Sequence, residues 1–223
     1  MGSDDGAKTG PKRSSAIKDD GMPDMKPGGV SPLIALPMAL GVTSGLGIAI
    51  AKAILTYGAA AKYAANADKL DGDAKWVYLG LFVFGKMCAF VNLYPAIVWK
   101  PKIMGHDGNL RSNPFIYRMQ GKGALANAIT FEEGGAVGGY NRANRSLQHL
   151  VENVPQVVAA MLATGLVTPF PTFCLVCLFC VGRIMHQVGY TTGYGYHGPG
   201  FGLSAVATQT LDGLCLLIAI KGF

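Results

Sequence analysis

Long apolar segments separated by short polar joints dominate this sequence. Residues 76–99 form a run of 24 residues with one charged side chain, Lys86, and a tryptophan at each end. A helix needs about 20 mostly apolar residues to cross roughly 30 Å of hydrocarbon. Half of the 223 residues are hydrophobic and 14% are charged, whereas about a quarter of the residues in a soluble domain are charged. We therefore predict an all-α membrane protein.

Four other segments share this apolar character. The first is rich in alanine and glycine, and its Gly41 and Gly45 have the spacing that lets two membrane helices approach closely. The last three are joined by "TPFP" and "GYGYHGPG", which are turn sequences. In chain order the predicted spans are residues 33–65, 76–99, 142–167, 172–192 and 201–220. The pattern predicts a polytopic bundle of four core helices with an additional N-terminal span.

The polar segments complete the predicted domain organisation. Residues 1–29 carry five basic and five acidic side chains and no apolar run, which is typical of a disordered tail. The tail also lacks the pattern of a cleaved secretory signal. Residues 30–65 then form an additional membrane segment. Residues 76–223 form the main domain, with a polar loop at 100–141.

The orientation follows from the charge of that loop. Residues 100–145 contain seven lysines and arginines against three acidic side chains, so the positive-inside rule places the loop in the cytosol. The N-terminus and "GYGYHGPG" then lie on the same side. The net charge of +6 is explained by this topology, and no basic and aromatic interleaving indicates a nucleic-acid partner.

A polar stripe marks the beginning of the third predicted span. Arg142, Arg145, His149 and Glu152 are spaced three, four and three residues apart, so they share one helix face. Arg142 is expected to reach the lipid headgroups, as arginines at helix ends often do. Glu152 lies about ten residues into the span, where a charge costs about 3 kcal/mol and needs a partner or a ligand.

The fourth predicted span offers such a partner. Its sequence "VGRIMHQVGYTTG" places three polar side chains on one face, namely Arg183, His186 and Tyr190. Glu152 and Arg183 lie at similar depth on antiparallel helices, so we expect an ion pair between them, which either serves a ligand or only satisfies itself. Asp212 in the last span is expected to pair with Arg183 or Lys86.

These helices resemble the MAPEG family of membrane proteins in eicosanoid and glutathione metabolism, and within it the microsomal glutathione transferase 3 branch. The likeness rests on "GRIMHQVGY", on "NPFIY" in the loop, and on the third-span residues Arg145, Leu147, His149, Glu152 and Pro155. It extends over residues 76–223. The resemblance implies a homotrimer of four-helix subunits in the endoplasmic reticulum or another organelle membrane, with glutathione as co-substrate bound between subunits.

The same resemblance implies roles for individual residues. Arg145 would hold a glutathione carboxylate, Glu152 the α-amino group, and His186 and Tyr190 the opposite wall, with His149 and Arg183 completing the binding residues. Glutathione carries two carboxylates, one ammonium and a thiol, so an arginine fork, a carboxylate and polar aromatic side chains suit it. The implied activity is conjugation of glutathione to lipophilic electrophiles or reduction of lipid hydroperoxides, as in a microsomal glutathione transferase or leukotriene C4 synthase.

Two departures from the family pattern leave an alternative open. His149 stands where the family usually has asparagine, and residues 191–201 contain neither arginine nor lysine where many members have an arginine that stabilises the thiolate. His197 is the candidate catalytic residue at that place, although a neutral imidazole lowers a thiol pKa less than a guanidinium does. The alternative is a non-catalytic member that binds lipid or a protein partner.

A metal centre is not predicted. The spacing C-x2-C-x2-C occurs within an apolar span, where cysteines are typical small buried side chains rather than cluster ligands, at Cys174, Cys177 and Cys180. His149, Glu152 and His186 have suitable ligand atoms for a metal ion. The neighbouring arginines would repel a cation, so we expect no metal there.

Overall fold

The computed structural model describes residues 30–70, 72–103, 115–119 and 128–221, so the predicted tail at 1–29 lies outside the described residues. Helices dominate the described chain. In chain order the elements are α1 (Pro32–Tyr57), α2 (Ala60–Ala67), α3 (Ala74–Tyr94), a π-helical turn (Pro95–Trp99), α4 (Lys100–Ile103), β1 (Tyr117–Met119), β2 (Ile129–Phe131), α5 (Gly135–Gly165), α6 (Pro169–Thr192) and α7 (Gly198–Ile220).

The predicted fold class, an all-α membrane helix bundle, is confirmed. Among the described residues, four helical segments are long and apolar enough to cross a membrane: α1, the continuous stretch Ala74–Ile103, α6 and α7. The third predicted span, residues 142–167, corresponds to α5, which has 31 residues. At 1.5 Å per residue this helix is about 46 Å long. Its polar stripe lowers its average hydropathy, yet it packs along α6 and α7 inside the bundle.

Two predicted boundaries differ from the structure. The first predicted span, 33–65, is interrupted at Gly58, where α1 ends and the chain bends into α2. The loop predicted at 100–141 ends earlier, because α5 begins at Gly135. A side chain at Gly139 would collide with the ring of Trp99. Glycine at position 139 therefore allows the π-helical turn to lie against the start of α5.

A short β-hairpin stands on the first turns of α5. β1 and β2 pair antiparallel, and the rings of Tyr117 and Phe131 stack with centroids 4.7 Å apart. Asn141 is buried and fixes the hairpin: its Oδ1 accepts from the Ile116 backbone N–H at 2.8 Å, and its Nδ2 donates to the backbone oxygens of Ile116 and Glu132 at 2.7 and 2.8 Å. This loop segment is thus anchored to the bundle.

The core lies between α3, α5, α6 and α7. Its fully buried apolar side chains include Val91, Leu150, Met161, Val176 and Leu211. The additional helix α1 contributes no buried residue. It lies against α3, where Lys86 Nζ donates to Ser44 Oγ at 2.8 Å.

The prediction that Asp212 pairs with Arg183 or Lys86 was wrong. Gln156 Nε2 donates to its carboxylate at 2.7 Å, whereas Lys86 bonds to Ser44 on α1. An exposed amide on the neighbouring α5 is therefore the partner of this carboxylate.

Candidate functional site

Most of the predicted site residues surround one opening between α5, α6 and the start of α7. We call this opening the histidine cleft; it has a volume of about 200 Å³ and is lined by Arg145, His149, His186, Tyr190, His197 and Phe201. The ring centroids of His149 and His186 are 5.5 Å apart, and those of Tyr190 and His197 are 5.1 Å apart. Five side chains singled out from the sequence thus meet in one place.

The close approach of α6 and α7 explains both glycines of "GRIMHQVGY". A Cβ at Gly182 would lie 2.6 Å from Ser204 Oγ and 2.7 Å from the Ser204 backbone nitrogen. A Cβ at Gly189 would collide with the Tyr196 carbonyl in the turn between α6 and α7. Glycine at these two positions therefore lets the turn that carries His197 fold back over α6.

Glu152 does not pair with Arg183, so that prediction was wrong. Its Oε1 lies 3.2 Å from Arg145 Nη1 on the same helix, and both side chains are about half exposed. Equal depth in the bundle does not require equal orientation around a helix axis, and Glu152 points outward while Arg183 points inward. The outward pair presents a cation and an anion side by side at the edge of the histidine cleft.

Arg183 is the most deeply buried charged side chain of the site, with 2% of its surface exposed. Its Nη2 donates to the backbone oxygen of Ser146 at 3.0 Å, and its Nη1 lies 3.2 Å from His149 Nδ1. Both partners are neutral acceptors on α5. Arg183 therefore joins α6 to α5 behind the wall of the cleft.

Ser146 is a site residue that sequence reasoning missed. Its side chain is fully buried, and its Oγ lies 2.8 Å from His186 Nδ1. Ser146 thus bonds to His186 through its side chain and to Arg183 through its backbone. A serine within a helix more often bonds to its own backbone, so only the tertiary arrangement reveals this role.

Arg142 has a structural role rather than the expected contact with headgroups. Its Nη1 donates to the Glu133 backbone oxygen at 3.0 Å, and its Nη2 donates to the Thr191 backbone oxygen at 3.2 Å. Tyr194 Oη donates to Glu133 Oε1 at 3.0 Å. The pKa of the Tyr194 phenol is raised, mainly because the side chain is partly buried and secondly because of this hydrogen bond. These contacts, which we call the Glu133 latch, tie the start of α5 to the turn that carries His197.

A second opening continues from the histidine cleft along α5 and α7. This polar cleft has a volume of about 230 Å³ and shares His149 and Phe201 with the histidine cleft. Its other walls carry amides and hydroxyls, from Asn153, Gln156, Ser204, Thr208 and Gln209, together with Arg183. His149 therefore stands between the two openings.

Residues 112–219 match the MAPEG family. The match extends over a little less than half of the chain. The matched residues include the hairpin, α5, α6 and nearly all of α7, and thus every residue of the histidine cleft. The predicted likeness is confirmed over these residues. No curated protein is similar enough to the chain to count as a match.

Proposed function

We propose that this protein is a glutathione-dependent membrane enzyme, closest to the microsomal glutathione transferase 3 branch. It would conjugate glutathione to lipophilic electrophiles or reduce lipid hydroperoxides. The observation that carries the proposal is the histidine cleft, which gathers Arg145, His149, His186, Tyr190 and His197 within the residues that match the MAPEG family.

The outward pair at the edge of the cleft suits one end of glutathione. The γ-glutamyl end carries a carboxylate and an ammonium group on the same carbon. Arg145 Nη1 and Glu152 Oε1 lie 3.2 Å apart, and both side chains are about half exposed. Each side chain can therefore exchange its present partner for the ligand group whose charge is opposite to its own. Arg145 would bind a carboxylate through charge-assisted hydrogen bonds, and Glu152 would bind the ammonium.

The inner wall of the cleft suits the thiol end. Glutathione supplies the nucleophilic sulfur, which is reactive as the thiolate. His197 lies beside His186 and Tyr190, with its ring centroid 5.6 and 5.1 Å from theirs. Its imidazole can take the thiol proton or donate a hydrogen bond to the thiolate. Tyr190 and His186 add polar hydrogens to the same wall.

We also propose that the functional unit is a homotrimer in the endoplasmic reticulum membrane, with the cleft on the cytosolic side. The exposure of Arg145 and Glu152 on the surface of the single chain supports a neighbouring subunit that covers them. A charged pair on α5 would otherwise face lipid, which is costly. Location in another organelle membrane is the alternative.

A non-catalytic protein that binds lipid or a partner is the second candidate function. The observation that favours it lies in residues 191–201, which contain neither arginine nor lysine. The turn near the cleft therefore lacks a permanent cation, and a neutral imidazole stabilises a thiolate less than a guanidinium does.

Calorimetry of glutathione binding to detergent-purified protein tests the site. Arg145→Ala should weaken binding about tenfold or more, because it removes a charged hydrogen-bond partner. Lys62→Ala removes the same charge from exposed α2 and should bind like wild type. Absence of binding in wild type, or equal binding in both variants, would reject the assigned site. A conjugation assay with a generic electrophile then separates the enzyme from the binding protein.

A further inference from the structure

The contact between Arg183 and His149 determines which imidazole nitrogen carries the proton. A guanidinium has five N–H donors and no acceptor. Arg183 Nη1 lies 3.2 Å from His149 Nδ1, so Nδ1 must be the acceptor in this hydrogen bond. The proton of the neutral ring is then on Nε2. A doubly protonated ring could not form the contact, because two donors would face each other.

Both partners of this contact are held in place. Arg183 is 2% exposed and donates a second bond to the Ser146 backbone at 3.0 Å. The His149 ring stacks on Phe201 with centroids 6.0 Å apart and an angle of 19° between the planes. Turning the ring over would place a C–H against the guanidinium. The contact therefore selects one ring orientation as well as one tautomer.

His149 forms part of the wall of both the histidine cleft and the polar cleft. We propose that Arg183 is a positioning residue that holds His149 as its Nε2–H tautomer, so that His149 acts as a hydrogen-bond donor to bound glutathione. The acceptor is an oxygen or the thiolate sulfur of the ligand. This inference rests on the proposed function, and it assigns Arg183 an indirect role in place of direct contact with the ligand.

Nitrogen NMR on histidine-labelled protein tests the tautomer directly. The chain has four histidines, and spectra of single variants at the other three positions identify the His149 signals. Wild type should show His149 protonated on Nε2 alone, and Arg183→Met should show a mixture of the two neutral tautomers. His149 protonated on Nδ1, or a tautomer mixture in wild type, would overturn the proposal. This measurement needs no ligand.

Glutathione binding in two backgrounds tests the consequence for the ligand. With His149 present, Arg183→Met should weaken binding about tenfold, the loss of one hydrogen bond to a charged group. In a His149→Asn background the same change should alter binding less than about twofold, because an asparagine amide offers an N–H without any help from Arg183. Equal losses in both backgrounds would show that Arg183 acts independently of His149.

The NMR and binding measurements distinguish a failure of the proposed function from a failure of the proposed role of Arg183. If wild type does not bind glutathione, the proposed function fails, while the NMR spectrum still decides the tautomer. If Arg183→Met does not fold, Arg183→Lys replaces it in both measurements. A lysine keeps the charge but cannot donate to both acceptors from one planar fork. We expect it to restore neither the single tautomer nor the affinity in full.

Discussion

Replacing Gly182 by alanine should drive α7 away from α6 and open the histidine cleft. The added Cβ would lie 2.7 Å from the Ser204 backbone nitrogen, whereas ordinary contacts begin at 3.4 Å. The backbone of α7 would have to retreat by about 0.7 Å, the difference between these distances. Extra atoms in a well-packed interior typically cost about 1–3 kcal/mol. Phe201, near the start of α7, would move with the helix.

Thermal unfolding in detergent and glutathione binding measure the two consequences. For a chain of this size about 1 kcal/mol corresponds to about 2–4 °C, so Gly182→Ala should lower the Tm by about 2–12 °C. It should also weaken glutathione binding. Gly202→Ala is the matched control on α7, because a Cβ there meets no atom within 4 Å. If both variants unfold at the same temperature, the argument from close helix packing is refuted.

Two further predictions concern polar contacts near the cleft. Glu152→Gln should change the free energy of unfolding by less than about 1 kcal/mol, because its partner Arg145 is half exposed, while glutathione affinity falls about tenfold. A loss of about 3 kcal/mol in thermal unfolding would instead indicate a buried ion pair. The raised pKa of Tyr194 means that the protonated phenol stabilises the folded state. This contribution is complete below the ordinary tyrosine value of about 10 and is lost as pH rises through the folded-state value. In Tyr194→Phe this loss of stability at high pH should be absent from the curve of Tm against pH. Identical curves of Tm against pH for the variant and wild type would contradict the Glu133 latch.

The five long helices and their order could be predicted because length and apolar content decide membrane insertion. The beginning of α5 could not. Its first turns contain Gly138 and Gly139, and glycine in an isolated helix is unfavourable by about 1 kcal/mol relative to alanine. Contact with Trp99, which lies 40 residues earlier in the sequence, overrides that preference. A local pattern carries no information about such a neighbour.

The candidate site shows the same division between local and tertiary information. Helical spacing placed Arg145 and His149 on one face, and the structure brings both to the histidine cleft. The partner of Glu152 was assigned wrongly, because spacing gives depth along the axis and leaves the rotation of each helix undetermined. Ser146 was missed because a buried serine has no signal in sequence. Its bond to His186 becomes visible only when α5 and α6 are packed together.

The ultraviolet absorbance of bound glutathione thiolate tests most directly whether this protein is a glutathione-dependent enzyme. It should be measured at neutral pH in wild type, His197→Ala and His197→Arg, each saturated with glutathione. If the protein is an enzyme that uses His197, the wild type should show a thiolate signal. His197→Arg should show a stronger signal, because arginine is a permanent cation, and His197→Ala should show none. Conjugation of a test electrophile should follow the same order. If all three proteins bind glutathione without a thiolate signal and none conjugates, the enzyme account is contradicted and the binding-protein candidate replaces it.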